Sequence, residues 1–280
     1  MRRFTDDLGS PADGHRLCVI VPYRDRFEEL LLFAPHMQRF LAAQSIDHRL
    51  LVINQLDGLR FNRASLINAG FHESRRLGCD YLCMHDVDLL PANPQLSYRW
   101  PGIGRAFHVA SPQYHPTYHY PKFIGAILLL TLHDFARVDG LSNKYWGWGL
   151  EDDEFYLRLR DAQIAIGRPE GLSTNSSTTF LHQHDKRRRK RDMARLANQR
   201  ELSRKRDRVS GLSTLDYEVL GRRQLTIDGA PLDVVNVRLR CNMTWTPYCV
   251  PPTEQPPPPP KKRKRPADNA KYVPRFVETV

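Results

Sequence analysis

The alternation of short apolar runs with amphipathic stretches between Arg16 and His85 constrains this chain more than any other feature. Arg16-Leu17-Cys18-Val19-Ile20-Val21-Pro22 reads as a strand buried on both faces, because its apolar residues are continuous, and His48–Gln55 and Tyr81-Leu82-Cys83-Met84-His85 read as a second and a third strand. Between them, Phe27–Ala43 spaces Leu30, Leu31, Phe33, Met37, Phe40 and Leu41 as one helical face, and Arg63–Arg76 reads as a second helix. Pro22 is expected to end the first strand and Pro35 to kink or split the first helix. Strand, helix, strand, helix, strand predicts an α/β fold, a doubly wound, mostly parallel twisted sheet flanked by helices. In such a sheet ligands collect at the carboxyl ends of the strands.

Three informative pieces stand at those ends: Pro22-Tyr23-Arg24-Asp25-Arg26, Phe61-Asn62-Arg63 and Asp86-Val87-Asp88. No GxGxxG or GxxxxGKS is present, so the usual dinucleotide and P-loop readings lose their support. Beyond them, Pro91–Pro121 predicts a long ordered excursion, Phe123–Thr131 a strand, Glu151–Asp161 a helix, and Ile164–Arg168 and Thr178–His182 two more strands. The basic segment from Asp185 to about Arg208 is expected to be helical, and Leu225–Arg240 a small β element. Residues 1–15 read as a flexible leader, and residues 251–280, with Pro256–Pro260, as a disordered Pro/Lys-rich tail.

The formal charge of +11 is concentrated in Lys186–Arg208 and Lys261–Arg265, so it describes segments more than a binding face. Lys261-Lys262-Arg263-Lys264-Arg265-Pro266 prompts a nuclear, nucleic-acid-binding reading, which assigns no task to the acids, histidines and tryptophans described next. No stretch reaches the apolar length needed to span a bilayer. Five cysteines leave at least one unpaired in a monomer. Cys241 and Cys249 could staple a loop, while Cys18, Cys79 and Cys83 read as buried free thiols. Asn175-Ser176-Ser177 and Asn242-Met243-Thr244 are glycosylation sequons.

Tyr145-Trp146-Gly147-Trp148-Gly149-Leu150 runs into Glu151-Asp152-Asp153-Glu154, flat aromatic faces followed by four acids. Acids in a first helical turn are explained by the helix dipole alone; beside tryptophans they also suit a sugar-handling loop with a catalytic carboxylate. Asp86 and Asp88 lie two apart at a strand end, which suits a divalent cation and a diphosphate, or merely a turn. His182 and His184 share one face of an extended segment; with a carboxylate and phosphate oxygens they would make a mixed oxygen and nitrogen site fitting Mn²⁺.

Together these residues resemble the β-1,4-galactosyltransferase family, with Trp146-Gly147-Trp148-Gly149-Leu150-Glu151-Asp152-Asp153 the most specific string; the resemblance runs over about Leu17–Cys249. It implies a GT-A-type, Rossmann-like catalytic domain over residues 16–250, Mn²⁺ as cofactor, UDP-galactose as donor and inversion at the transferred sugar. Phe180-Leu181-His182-Gln183-His184-Asp185 and the pair Cys241/Cys249 resemble the branch acting on xylose of proteoglycan core proteins; transfer to N-acetylglucosamine is the alternative. The same resemblance makes Asp88, His182 and His184 metal ligands and Asp152 the catalytic base. It assigns substrate binding to Pro22, Tyr23, Arg24, Arg26, Phe61, Arg63, Asp86, Val87, Gly125, Trp148, Glu151 and Asp153. Two positions depart from the family pattern, Ala126 for the second glycine of a pair and Leu150 where Gly or Arg is usual. The family consists of type II membrane proteins of the Golgi, which implies the Golgi lumen for the catalytic domain.

Overall fold

A computed structural model describes residues 14–185, 187–196, 199 and 205–251. The expected leader, apart from its last two residues, and the expected tail, apart from its first, lie outside the described residues. The elements run β1 (Leu17–Tyr23), α1 (Phe27–Ala42), β2 (His48–Gln55), α2 (Arg63–Arg76), β3 (Tyr81–His85), β4 (Leu89–Pro91), β5 (Arg105–His108), β6 (Ile127–Thr131), α3 (Leu132–Arg137), α4 (Glu151–Asp161), β7 (Ala165–Gly167), β8 (Phe180–His182), β9 (Tyr217–Ile227) and β10 (Ala230–Leu239).

An eight-stranded sheet has the order β7-β5-β6-β3-β1-β2-β10-β9. Four of its seven pairings are parallel, β1/β2, β1/β3, β10/β2 and β5/β7, so the α/β, doubly wound expectation holds with antiparallel strands at β6 and β9. The chain leaves β1 for β2 on one side, then crosses back to β3 on the other. That reversal opens a crevice at the carboxyl ends of β1 and β3, where a doubly wound sheet receives its ligand.

Side-chain alternation divides the core into two layers. Leu17, Val19 and Val21 of β1, Leu50 and Val52 of β2, and Tyr81 and Cys83 of β3 meet Phe33, Ala34 and Met37 of α1. Ile20, Leu51, Ile53, Leu82 and Met84 face the other way, onto Leu66 and Ile67 of α2 and Phe155 and Leu159 of α4. At Gly70, a Cβ would collide with the Ile20 side chain, so glycine sets how closely α2 approaches β1.

Several expectations are corrected. Pro22 lies within β1, opposite Ile53, instead of ending it. Pro35 sits inside an unbroken α1, because the carbonyl that loses a donor belongs to the exposed Leu31, where water can replace it. The strand expected over Phe123–Thr131 is only Ile127–Thr131, since Gly125 and the left-handed Ala126 (φ 62°) bend the chain before it. The strands expected at Ile164–Arg168 and Thr178–His182 shorten to β7 and β8. The small β element is a long hairpin whose second strand extends the main sheet beside β2. Of the helix expected from Asp185 to about Arg208, residues 187–196 are not helical, Gln199 is, and 197–198 and 200–204 lie outside the described residues; side-chain bonds to the rest of the molecule hold 187–196 as a strap.

Cys18 and Cys79, expected as free thiols, are joined, with Cα atoms 5.8 Å apart. Alternation explains the choice of partner: Cys18 lies between Val19 and Leu17, which face α1, and so points to the opposite layer from the buried free Cys83. Cys241 and Cys249 are joined as well, closing a loop of sequence separation 8.

Candidate active site

Each strand end contributes a different chemical group. After β1, Arg24 donates to the carbonyls of Leu59 (2.7 Å), Asp57 (3.1 Å) and Gln55 (3.3 Å), and its guanidinium carbon stands 5.9 Å from the Phe61 ring centroid. Its donors are thereby engaged in ordering the loop that carries Phe61. Burial lowers its pKa, against the opposing charge of Asp57. Arg26 stands 3.5 Å from Glu29, and its buried Nη1 has no hydrogen-bond partner among the described residues. Tyr23 is partly exposed, and burial raises its hydroxyl pKa. Pro22 and Val87, expected at the substrate, are buried, Val87 packing in the α1-side core.

Asn62 caps α2, its side chain accepting from the Ser65 N–H at 2.9 Å, which directs the next residue, Arg63, into the crevice. Arg63 Nε donates to Asp86 at 2.8 Å and Nη1 stands 3.7 Å from Glu151. Burial opposes the Arg63 charge, but Asp86 and Glu151 outweigh it and raise the pKa. Arg63 thus couples the β3 end to the α4 start.

The two-stranded sheet of β4 and β8 pairs Leu89 with His182, so the residues beside that pair converge. The Gln183 N–H donates to the Asp88 carbonyl at 2.8 Å, and His184 Nδ1 lies 3.1 Å from Asp88 Oδ2. The His182 and His184 rings stack with centroids 5.9 Å apart. Burial, then Asp86, raises the Asp88 pKa against the two imidazoles; burial lowers that of His182. The oxygen–nitrogen spacing fits two adjacent ligands on a six-coordinate ion, which stand about 3 Å apart when bonds are about 2.1 Å. One carboxylate and two imidazoles suit Mn²⁺ in their chemistry. Among the described residues, however, no three such side chains already meet at one point. Asp88 and His184 are in contact, with His182 alongside.

Four acids, Glu151–Glu154, form the first turn of α4, where the helix dipole favours them. They do different things. Glu154 pairs with Arg158 at 2.9 Å, and Arg158 donates to the carbonyls of Gly140 (3.1 Å) and Ser210 (2.6 Å), anchoring the helix. Asp153 accepts from the Tyr120 hydroxyl at 3.1 Å, so this expected substrate contact is occupied by a side chain of the excursion. Glu151 is buried and its pKa raised. Asp152 keeps partial exposure; burial, then the charges of Glu151 and Asp153, pushes its pKa up to about 8. A Cβ on Gly125 would lie 2.5 Å from Asp152 Oδ2, so glycine there makes room for the carboxylate.

Trp148 is half-buried and bound by the strap: its N–H donates to the Asp192 carbonyl at 2.9 Å, and Arg195 donates to its carbonyl at 2.7 Å. Arg191 lies 4.7 Å above its ring and donates to the Tyr118 hydroxyl at 2.9 Å. Asp192 also clamps Arg60 with bonds of 2.6 and 3.0 Å. Leu150, between Trp148 and the acids, has φ 79°, a left-handed conformation costing a non-glycine residue about 1–2 kcal/mol. Sequence reasoning missed Tyr118, Tyr120, Arg191 and the Arg60–Asp192 clamp. The two tyrosines were visible only as part of a Tyr- and His-rich excursion.

A doubly wound sheet with a carboxylate–imidazole contact on one side of its crevice and an acidic helix start on the other defines a GT-A-type glycosyltransferase. Residues 10–101 match the family described as the N-terminal region of glycosyl transferase group 7, and residues 105–183 the N-terminal domain of galactosyltransferase. A xylosylprotein 4-beta-galactosyltransferase of Caenorhabditis elegans is 57% identical over 252 residues, covering 89% of this chain and 87% of its own length. Beta-1,4-galactosyltransferase 7 of Homo sapiens is 52% identical, covering 84% and 71% respectively. The solved Drosophila beta-1,4-galactosyltransferase 7, a point variant complexed with manganese, UDP-Gal and xylobiose, is 47% identical at a TM-score of 0.82, covering 84% of this chain and 99% of its own. The chain belongs to the β-1,4-galactosyltransferase family.

Proposed function

We propose that this protein transfers galactose from UDP-galactose to the 4-hydroxyl of xylose on a proteoglycan core protein, with inversion and with Mn²⁺ as cofactor. The observation that carries the reading is the likeness to the Drosophila enzyme, described with manganese, UDP-Gal and xylobiose, over 84% of the chain. Asp88, His182 and His184 would hold the metal, which when bound supplies charge compensation for the departing diphosphate. Arg63, Asp86, Tyr23, Arg26 and Phe61 line the nucleotide side of the crevice, with Arg24 bracing the Phe61 loop. Trp148 offers a flat face for a sugar, with Glu151 as a polar partner, while Asp153 is held by the Tyr120 hydroxyl. Asp152 accepts the proton of the attacking hydroxyl, and its elevated pKa makes its deprotonated form a stronger base than an ordinary carboxylate. Gly125 keeps the space the carboxylate occupies.

The two disulfides suit an oxidising compartment, consistent with residence in the Golgi lumen. Among the described residues no helix is long and apolar enough to cross a membrane. A panel of UDP-sugars against xylosides and N-acetylglucosaminides, run with chelator and with Mn²⁺ restored, tests the assignment. Metal-dependent transfer from UDP-galactose to xylosides is expected; preference for N-acetylglucosamine would overturn the acceptor, and metal-independent transfer the cofactor.

A further inference from the structure

The two sequons are features that galactosyl transfer leaves unused, and the fold treats them differently. Asn175 is exposed in the loop ahead of β8. Its side-chain carbonyl accepts from the Ser177 N–H (2.9 Å), the Ser177 hydroxyl (2.7 Å) and the Thr178 hydroxyl (3.2 Å). All three bonds engage Oδ1, and among the described residues none engages the amide nitrogen. The sequon hydroxyl therefore already touches the asparagine, and the reactive nitrogen stays available. Asn242 is likewise exposed and its amide nitrogen likewise unengaged among the described residues, but it lies inside the ring closed by Cys241 and Cys249. Its carbonyl caps the N–H groups of Thr244 and Trp245, and the ring is anchored by the buried Thr246, Tyr248 and Cys249. The disulfide locks the Asn242 sequon in its turn, whereas the turn at Asn175 is held by hydrogen bonds alone and can open to an extended form.

We propose that Asn175 is an N-glycosylation site and Asn242 is not. This rests on the lumenal reading above, which the two disulfides support independently of the transfer chemistry. The amide nitrogen of Asn175 forms a bond to C1 of an oligosaccharide carried on a polyprenyl diphosphate; the C1–oxygen bond breaks, the diphosphate leaves with its electron pair, and the amide loses one proton to a base of the modifying enzyme. The glycan would stand at the Phe180/Pro91 end of the β4–β8 pair, the end away from the Leu89/His182 pair, and so outside the crevice.

The test expresses the full chain behind a cleavable secretory signal in cultured animal cells, so that entry into the lumen is enforced. Peptide N-glycosidase in heavy-oxygen water, followed by peptide mass mapping, is expected to convert Asn175 to labelled aspartate and leave Asn242 unlabelled. Asn175→Gln and Ser177→Ala should each abolish the mobility shift while galactosyl transfer keeps its kcat/KM. Label on Asn242, or on neither asparagine, in lumenal protein with both disulfides formed overturns the proposal and leaves the transferase reading standing. A labelled Asn175 in a protein without transferase activity would do the reverse.

Discussion

Asp152, the proposed base, is a carboxylate whose surroundings oppose its charge, since burial and two flanking acids push its pKa up to about 8. Because the proton-accepting form is the deprotonated one, kcat/KM is expected to rise as pH rises through about 8 and to level off above it; a pH–rate profile checks this. Asp152→Asn removes the acceptor of the proton while keeping the shape of the side chain. Transfer should fall by about 10²–10⁴-fold with UDP-galactose binding retained, as measured by radiolabel transfer beside calorimetric titration. Gly125 acts through the same carboxylate. In Gly125→Ala the new methyl, 2.5 Å from Asp152 Oδ2, must displace it, and a shift near 1 Å should lower kcat about 10²-fold. Steady-state kinetics with both substrates separates this loss in kcat from any change in KM for UDP-galactose.

At the scale of elements, the site depends on the strap of residues 187–196 crossing the tryptophan loop. Among its anchors are the Arg189–Glu29 pair at 2.8 Å, reaching the first turn of α1, and the Arg60–Asp192 clamp under Gly147. Arg60 is the more constrained, with a side chain 1% exposed against 36% for Asp192. Asp192→Ala leaves that buried guanidinium without its charged partner, at a cost of about 1–3 kcal/mol after allowing for the exposure of the aspartate. The variant should raise KM for the acceptor and speed proteolytic cleavage within the strap; an unchanged cleavage rate would show that the clamp does not hold it. The basic run looked like a solvated helix in sequence because its charges could be counted but their partners, Glu28, Glu29 and the tryptophan loop, are distant in the chain.

For the whole molecule, the Cys18–Cys79 bond joins the start of β1 to the entry of β3, the two strands that flank the crevice. Closing a sequence separation of 61 residues restricts the unfolded chain by about 4 kcal/mol. A Cys18→Ser/Cys79→Ser double variant should therefore unfold at clearly lower denaturant concentration while keeping the native circular dichroism spectrum. Cys83, buried between the α1 layer and the sheet, should resist thiol reagents until the protein unfolds.

The sequence by itself determined the α/β class and β2, β3, α2 and α4 to the residue, because continuous apolar runs and helical spacing are local signals, and its short motifs singled out the acids, histidines and tryptophans of the candidate site. Only the tertiary structure decided which of those groups act together. The β4–β8 pairing brings Asp88 to His184 across 96 residues, the crossing from β2 to β3 sets Arg63 between Asp86 and Glu151, and strand alternation sends Cys18 to Cys79 and away from Cys83. These are contacts between segments far apart in the chain, fixed by sheet order and side-chain alternation, and no local pattern of residues encodes them.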